Sequence, residues 1–324
     1  MDNTFWPGKK VFVTGGTGFI GTHLVNELIK NGAEVSCLIF EVRKDSSFVK
    51  LGLNDKTNLI YGDVLDLELL KLTLEKYGID TVFHLAAQPL VQIAIKKPIE
   101  TIRVNILGTL NLLEACRLNN VKRVIVASSD KAYGSHATLP YDESFPLRGE
   151  YPYDVSKSCT DLLAQSYGKS YGMNIGISRS SNVYGGGDLN FDRIVPETIK
   201  HILFDEPILI RSNGKFVREF FYAEDAVLAY ITLAEKISEL DLKGEAFNFG
   251  TDQPITILDL VKKIKDISGK ENAEIKILDV AKTEIKDQFL SSKKAQNILG
   301  WSPSHDLNSG LSETYLWYKE FFNK

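Results

Sequence analysis

A chain of 324 residues, 44% hydrophobic and 25% charged, has the composition of a globular protein and the length for one large domain or two. Its 38 Lys and Arg against 42 Asp and Glu give a formal charge of -4 and a pI near 5.8, which argues against nucleic-acid and anionic-membrane partners, so any phosphate must be met by local groups. No apolar run reaches the roughly 18 residues of a membrane helix, and no charged-then-apolar leader opens the chain. Cys37, Cys116 and Cys159 lack metal-ligand spacing, so no metal site is expected, and the expectation is buried, reduced thiols in a cytoplasmic protein.

Residues 10–14 read as a short strand, followed at once by Gly15-Gly16-Thr17-Gly18-Phe19-Ile20-Gly21 and an amphipathic helix to about residue 31. Gly16, Gly18 and Gly21 fit the glycine spacing of a dinucleotide turn, in which backbone N–H groups approach a pyrophosphate at a helix N-terminus. Gly15, Thr17, Gly18, Phe19, Ile20 and Gly21 are therefore cofactor candidates. The second strand, 34–40, ends without the usual ribose-binding acid. Glu41 or Asp45 is placed to hold an NAD ribose, Arg43 an NADP phosphate. A third strand, 59–64, brings Asp63 and Val64 to the same edge as cofactor candidates, Asp63 toward the adenine, and a fourth, 81–87, brings Leu85, Ala86 and Ala87, where the small side chains of Ala86 and Ala87 let backbone lie close to the cofactor. His84, inside an apolar run, reads as a core histidine rather than a catalyst.

Residues 98–119 carry apolar side chains at helical spacing, with Asn105 a polar insert that either meets the cofactor or bonds core backbone. Val124-Ile125-Val126-Ala127 then forms a continuously apolar, β-branched strand, which predicts burial on both faces, and it stops at Ser128, Ser129, Asp130 and Lys131. Such a polar strand end marks the carboxyl edge of a parallel sheet, where open α/β sheets bind ligands. A second long helix covers 153–171 and a further strand 175–180; beyond them the elements become shorter, which suggests a smaller lobe, with helices from 225, over 257–267 and over 312–322.

Tyr153 and Lys157 stand four residues apart and so share one helix face. A lysine ammonium and an oxidised nicotinamide lower a neighbouring phenol's pKa, and the phenolate then removes a hydroxyl proton while hydride leaves the same carbon. Ser129 is placed to hydrogen-bond that hydroxyl.

Taken together, Gly15 to Gly21, His84 to Ala87, Ser128-Ser129, Tyr153 with Lys157, and Arg179 through Gly185 resemble the extended short-chain dehydrogenase/reductases, of the NAD-dependent epimerase/dehydratase type, that act on nucleotide sugars. The likeness covers nearly the whole chain. It implies an α/β fold with a doubly wound (Rossmann) parallel sheet, an NAD(P)-binding domain over 1–174, and a smaller α/β sugar-nucleotide lobe made predominantly by 175–324, some of whose segments return to the first domain. It also implies NAD as cofactor, with NADP left open, a nucleotide-sugar substrate, and a homodimer joined through the helices 98–119 and 153–171. Asp130-Lys131, with Ala87 through Val91 and Gly185 through Asp188, resembles the CDP-glucose 4,6-dehydratases, whereas 216–222 follows the general epimerase/dehydratase pattern. On that likeness Ser129, Asp130, Lys131, Tyr153 and Lys157 are catalytic, Tyr153 and Lys157 also contact the cofactor, and Gln88, Asn182, Arg193, Arg211 and Arg218 contact the substrate. Asp130 would protonate a departing C6 hydroxyl. Lys131 stands where most dehydratases carry glutamate; it either removes the C5 proton or only tunes Asp130. The expected activity is nucleotide-sugar 4,6-dehydration. The rivals are a 4-epimerase or reductase on the same scaffold, which needs no Asp130, and an idle NAD(P)-sensing protein, which needs neither Tyr153 nor Lys157.

Overall fold

The computed structural model describes residues 4–280 and 285–324. Strand and helix alternate at first: β1 (Lys10–Thr14), α1 (Phe19–Lys30), β2 (Glu34–Ile39), α2 (Ser47–Lys50), β3 (Asn58–Tyr61), α3 (Leu67–Tyr77), β4 (Thr81–His84), α4 (Val91–Lys96), α5 (Pro98–Ile102), α6 (Gly108–Leu118), β5 (Arg123–Ala127), α7 (Pro152–Tyr171) and β6 (Ile175–Ser180). Then follow β7 (Asn182–Tyr184), α8 (Ile194–Leu203), β8 (Ile208–Ile210), β9 (Val217–Tyr222), α9 (Ala223–Lys236), β10 (Lys243–Phe249), β11 (Pro254–Thr256), α10 (Ile257–Ser268), β12 (Ile275–Ile277), β13 (Asp287–Gln288) and α11 (Leu307–Phe321).

Seven parallel strands form the main sheet in the order β10-β6-β5-β4-β1-β2-β3. The doubly wound α/β sheet expected from the sequence is thus present, and β6 and β10, both beyond residue 174, complete one edge of it. The central strands carry apolar side chains on both faces because successive side chains enter different cores. Val11, Val13, Phe83 and Ile125 pack with Leu24, Val25 and Leu28 of α1 and Tyr230 and Leu233 of α9. Phe12, Val82, Val124 and Val126 face the other way, onto Leu70 and Leu74 of α3 and Leu112 and Cys116 of α6. Strand order reverses at β1, whose neighbours are β2 and β4, and this opens the crevice at the strands' carboxyl ends.

The single helix expected over 98–119 is interrupted. Between α5 and α6 a π-helical turn, Arg103–Leu107, carries Asn105 into a fully buried position. The last helix also starts earlier than its apolar pattern indicated, because Asp306 caps α11 by accepting from the Ser309 N–H at 2.7 Å. In the smaller cluster β9 pairs with β7, β11 and β13, β8 pairs with β12, and α8, α10 and α11 cover them around Ile199, Ile208, Leu260 and Leu311.

Candidate active site

The glycine turn is built for close approach. Gly15 has φ +74°, and a Cβ there would lie 2.7 Å from the Ala86 nitrogen, so the ends of β1 and β4 touch. A Cβ on Gly21 would lie 2.0 Å from the Gly15 carbonyl oxygen. Gly18 caps α1 with no side chain over its first turn, which leaves N–H groups for an anion. Thr17 donates to the Glu41 carbonyl at 3.1 Å, and Phe19 sits edge-on to His23. Ile20 packs partly against the core. Asp63 accepts from the Leu65 N–H at 3.0 Å, and buried Val64 presses on Gly108. At the end of β2, Phe40 is exposed, and Arg43 is held by Asp45 through two hydrogen bonds of 3.1 and 2.9 Å.

His84 bonds Thr14 at 2.7 Å and Thr109 at 3.0 Å. Burial, with Lys157 nearby, pushes its pKa down to about 3, so it is a neutral core residue, as its apolar strand indicated. Thr14 in turn accepts from the Ala86 N–H at 3.2 Å. Asn105 accepts from the Gln88 N–H at 2.7 Å and donates to the Gln88 carbonyl and the Ser156 hydroxyl at 3.2 and 2.9 Å. It therefore ties the segment after β4 to α7, while the Gln88 side chain closes on Leu90 and Thr101. Leu85, Ala86 and Ala87 follow β4 directly, and Lys157 shares one narrow cleft with Ala86, Ala87, Asn105 and Ala127.

Beyond β5 the chain turns sharply into a 3-10 turn, Asp130–Tyr133, capped by Ser129. The Ser129 hydroxyl accepts from the Lys131 N–H at 3.2 Å and donates to Asp130 Oδ1 at 3.0 Å. Asp130 is buried, and its Oδ2 lies 3.3 Å from Lys131 Nζ. Nζ also donates to Gln288 Oε1, while Gln288 Nε2 donates to the Asp130 carbonyl at 2.8 Å. Burial lowers the Lys131 pKa and Arg218 adds to the effect; Asp130 and Asp154 oppose it.

Helix α7 is aimed at this turn by Pro152 in its first turn and by Asp154, whose carboxylate accepts from the Tyr151 N–H at 3.5 Å. Lys157 is buried and donates to the Ala127 carbonyl at 2.7 Å; burial brings its pKa down to about 8. Burial raises the Tyr153 phenol, as do the charges of Asp130 and Asp154. Arg193 and a hydrogen bond with Ser129 act the other way, so in this structure Arg193 is the leading influence favouring the phenolate. Asp154, not singled out from the sequence, is raised to about 6 by burial. Its position in the first turn of α7 was the available signal; Gln288, in a two-residue strand, gave none.

The remaining substrate candidates come from the smaller cluster. Asn182 donates to the Glu219 carbonyl at 3.0 Å, and Arg193 pairs with Asp188 at 2.9 Å. Arg211 is held by both oxygens of Glu197 at 2.6 and 2.7 Å. Arg218 donates to the carbonyls of Val217 and Lys286 at 2.9 and 2.7 Å and to that of Ile285.

Two features fit a dinucleotide: the glycine cradle, which a Cβ would fill, and the buried Ser128 hydroxyl at the end of β5, which has no partner among the described residues. Residues 12–314 match the GDP-mannose 4,6 dehydratase family. The chain belongs to that family. A CDP-glucose 4,6-dehydratase from Salmonella typhimurium is 32% identical over 334 residues, covering 98% of this chain and 93% of that one. The crystal structure of a UDP-glucose 4-epimerase from Thermotoga maritima matches with a TM-score of 0.88 at 30% identity, covering 97% of this chain and 99% of its own. That of a dTDP-glucose 4,6-dehydratase from Streptomyces venezuelae, with NAD bound, matches at 0.87 and 27% identity, covering 96% and 97%. GDP-mannose 4,6 dehydratase family membership and the dehydratase relative agree with the resemblance carried by the Asp130-Lys131 turn. Among the described residues no helix is long and apolar enough to cross a membrane.

Proposed function

We propose that this protein is an NAD-dependent nucleotide-sugar 4,6-dehydratase that makes a 4-keto-6-deoxy sugar. The observation that carries the reading is the buried Asp130 carboxylate, hydrogen-bonded to Ser129 and 3.3 Å from the Lys131 amine, on the turn beneath Tyr153. Tyr153 takes the C4 hydroxyl proton, Ser129 orients that hydroxyl, and Lys157 is anchored on the Ala127 carbonyl in the cleft beside them. NAD, held at the glycine turn, would accept hydride from C4 and return it to C6. The proton taken by Tyr153 reaches Asp130 through the Ser129 hydroxyl, and Asp130 delivers it to the C6 oxygen. Neutral Lys131 takes the C5 proton as the C–H electron pair becomes the C5–C6 double bond and the C6–O bond breaks, releasing water. Lys131 returns its proton to C5 when C6 is reduced, so both groups end as they began.

Asn182, Arg193, Arg211 and Arg218 are assigned to the sugar nucleotide, with Arg218 meeting its pyrophosphate. We assign cofactor binding to residues 1–174 together with the returning strands β6 and β10, and sugar-nucleotide binding to the remainder of the second half. The exposed apolar side chains Ile99, Ile102, Val155 and Leu162 on α5 and α7 support a homodimer through these helices; sedimentation of wild type against an Ile99→Glu/Leu162→Glu variant tests it. Three cysteines outside any disulfide support a cytoplasmic location.

The test is incubation with CDP-, dTDP- and UDP-glucose and GDP-mannose, with mass spectrometry for loss of water and NMR for a C6 methyl group. Inversion at C4 with no loss of water would favour the epimerase, the reading that the Thermotoga maritima likeness supports.

A further inference from the structure

Strand β13 is two residues long, and Gln288 in it lies beside Arg218 of β9 in parallel register. The side chain is completely buried. A buried primary amide needs partners for both its ends. Here Nε2 donates to the Asp130 carbonyl at 2.8 Å, and Oε1 accepts from Lys131 Nζ. The flipped amide would set its oxygen against the Asp130 carbonyl, which can only accept, so that carbonyl fixes its orientation.

The same partners bear on the form of Lys131. An ammonium has three donors, whereas a neutral amine has two and a lone pair. Among the described residues Nζ has two acceptors, Gln288 Oε1 and Asp130 Oδ2. A neutral amine satisfies both with its two hydrogens and keeps its lone pair for a third direction. The charges facing Lys131 are Asp130 on its own turn, Asp154 from α7 and Arg218 from β9; the group that β13 contributes is uncharged.

We propose that Gln288 is a positioning residue for the elimination step: its amide orients the Lys131 amine and, as an uncharged acceptor, leaves that amine able to act as a base. The inference rests on the reading of Lys131 as the base at C5. It also gives β13 a purpose in the reaction, since the strand that sits beside Arg218 carries the clamp on the catalytic turn.

The test compares wild type, Q288E, Q288M and K131M as full chains. Each receives whichever of CDP-, dTDP- and UDP-glucose and GDP-mannose the wild type turns over fastest. Two rates are followed across pH: appearance of reduced nicotinamide, which reports C4 oxidation, and loss of water. In Q288E a carboxylate against the amine should move the acidic limb of water loss upward by about 1–3 pH units. Q288M introduces no charge and covers the case in which Q288E does not fold. It should lower water loss about tenfold or more relative to C4 oxidation, a ratio that a general loss of packing leaves alone. If Q288E keeps the wild-type profile, or Q288M slows both rates equally, while K131M fails to release water, Gln288 has no hold on the amine and the proposal falls with the base reading intact. If K131M still releases water at the wild-type rate, the base reading itself fails and takes the proposal with it.

Discussion

Replacing Asp130 with Asn separates the two halves of the proposed reaction. The amide oxygen in D130N would still accept the Ser129 hydroxyl bond, which is 3.0 Å long to the native carboxylate, but the new side chain has no acidic proton to give. General acid catalysis contributes about 100- to 10,000-fold, so water loss should fall by about that factor. C4 oxidation should move the other way. The Asp130 charge raises both the Tyr153 phenol and the Lys131 amine, and its removal makes each easier to deprotonate. Breaking a buried ion pair costs about 3–5 kcal/mol when the other charge is stranded. Here Gln288 still accepts from Lys131, whose own ionisation burial already disfavours, so the loss should lie at or below the low end of that range. Stopped-flow absorbance should show D130N reducing its bound nicotinamide at the wild-type rate or faster and then stalling, with the 4-keto-6-deoxy product missing from quenched samples. Wild-type water loss in D130N would remove Asp130 from the chemistry as the acid at C6. Equal loss of both half-reactions would make the residue structural.

Gly15→Ala places a Cβ 2.7 Å from the Ala86 nitrogen at φ +74°, and backbone strain alone costs about 1–2 kcal/mol; melting should fall, and NAD should no longer raise the melting temperature. His84, with a pKa of about 3 in the fold against an unfolded value near 6.5, binds fewer protons folded than unfolded between those values. Stability should therefore drop as pH falls through that window, by about 2 kcal/mol from this residue between about pH 7.5 and about pH 5. Urea midpoints should show a correspondingly shallower slope in H84Q, and identical slopes would place the ring in a different environment. Arg193→Met removes the leading influence favouring the Tyr153 phenolate, so the acidic limb of C4 oxidation should move to higher pH. Its half-exposed side chain makes that shift sensitive to salt, and an unmoved profile would take Arg193 away from the phenol.

The parts of this protein legible in its sequence are those whose cause lies within a few residues. Val124 to Val126 had to be a doubly buried strand, Gly15 to Gly21 a tight turn into a helix, and Tyr153 and Lys157 one helix face, because side-chain alternation, glycine's freedom at positive φ and the helical repeat are local properties. The polar stop after β5 marked the candidate site for the same reason. What the tertiary structure alone decided is which groups meet there. Asn105 is spent on Gln88 and Ser156 because a π-turn rotates it inward, and Arg193 comes to face Tyr153 from the start of α8. Lys131 meets an amide 157 residues away. That contact depends on a two-residue strand docking beside β9, and no periodicity or spacing encodes the docking of so short a segment. The sequence determined most of the sheet, the glycine turn and the carboxyl group and amine at the end of β5, while β10 at the sheet edge came only with the fold; the packing of the smaller cluster against the end of β5 determined the neutral partner that amine was given.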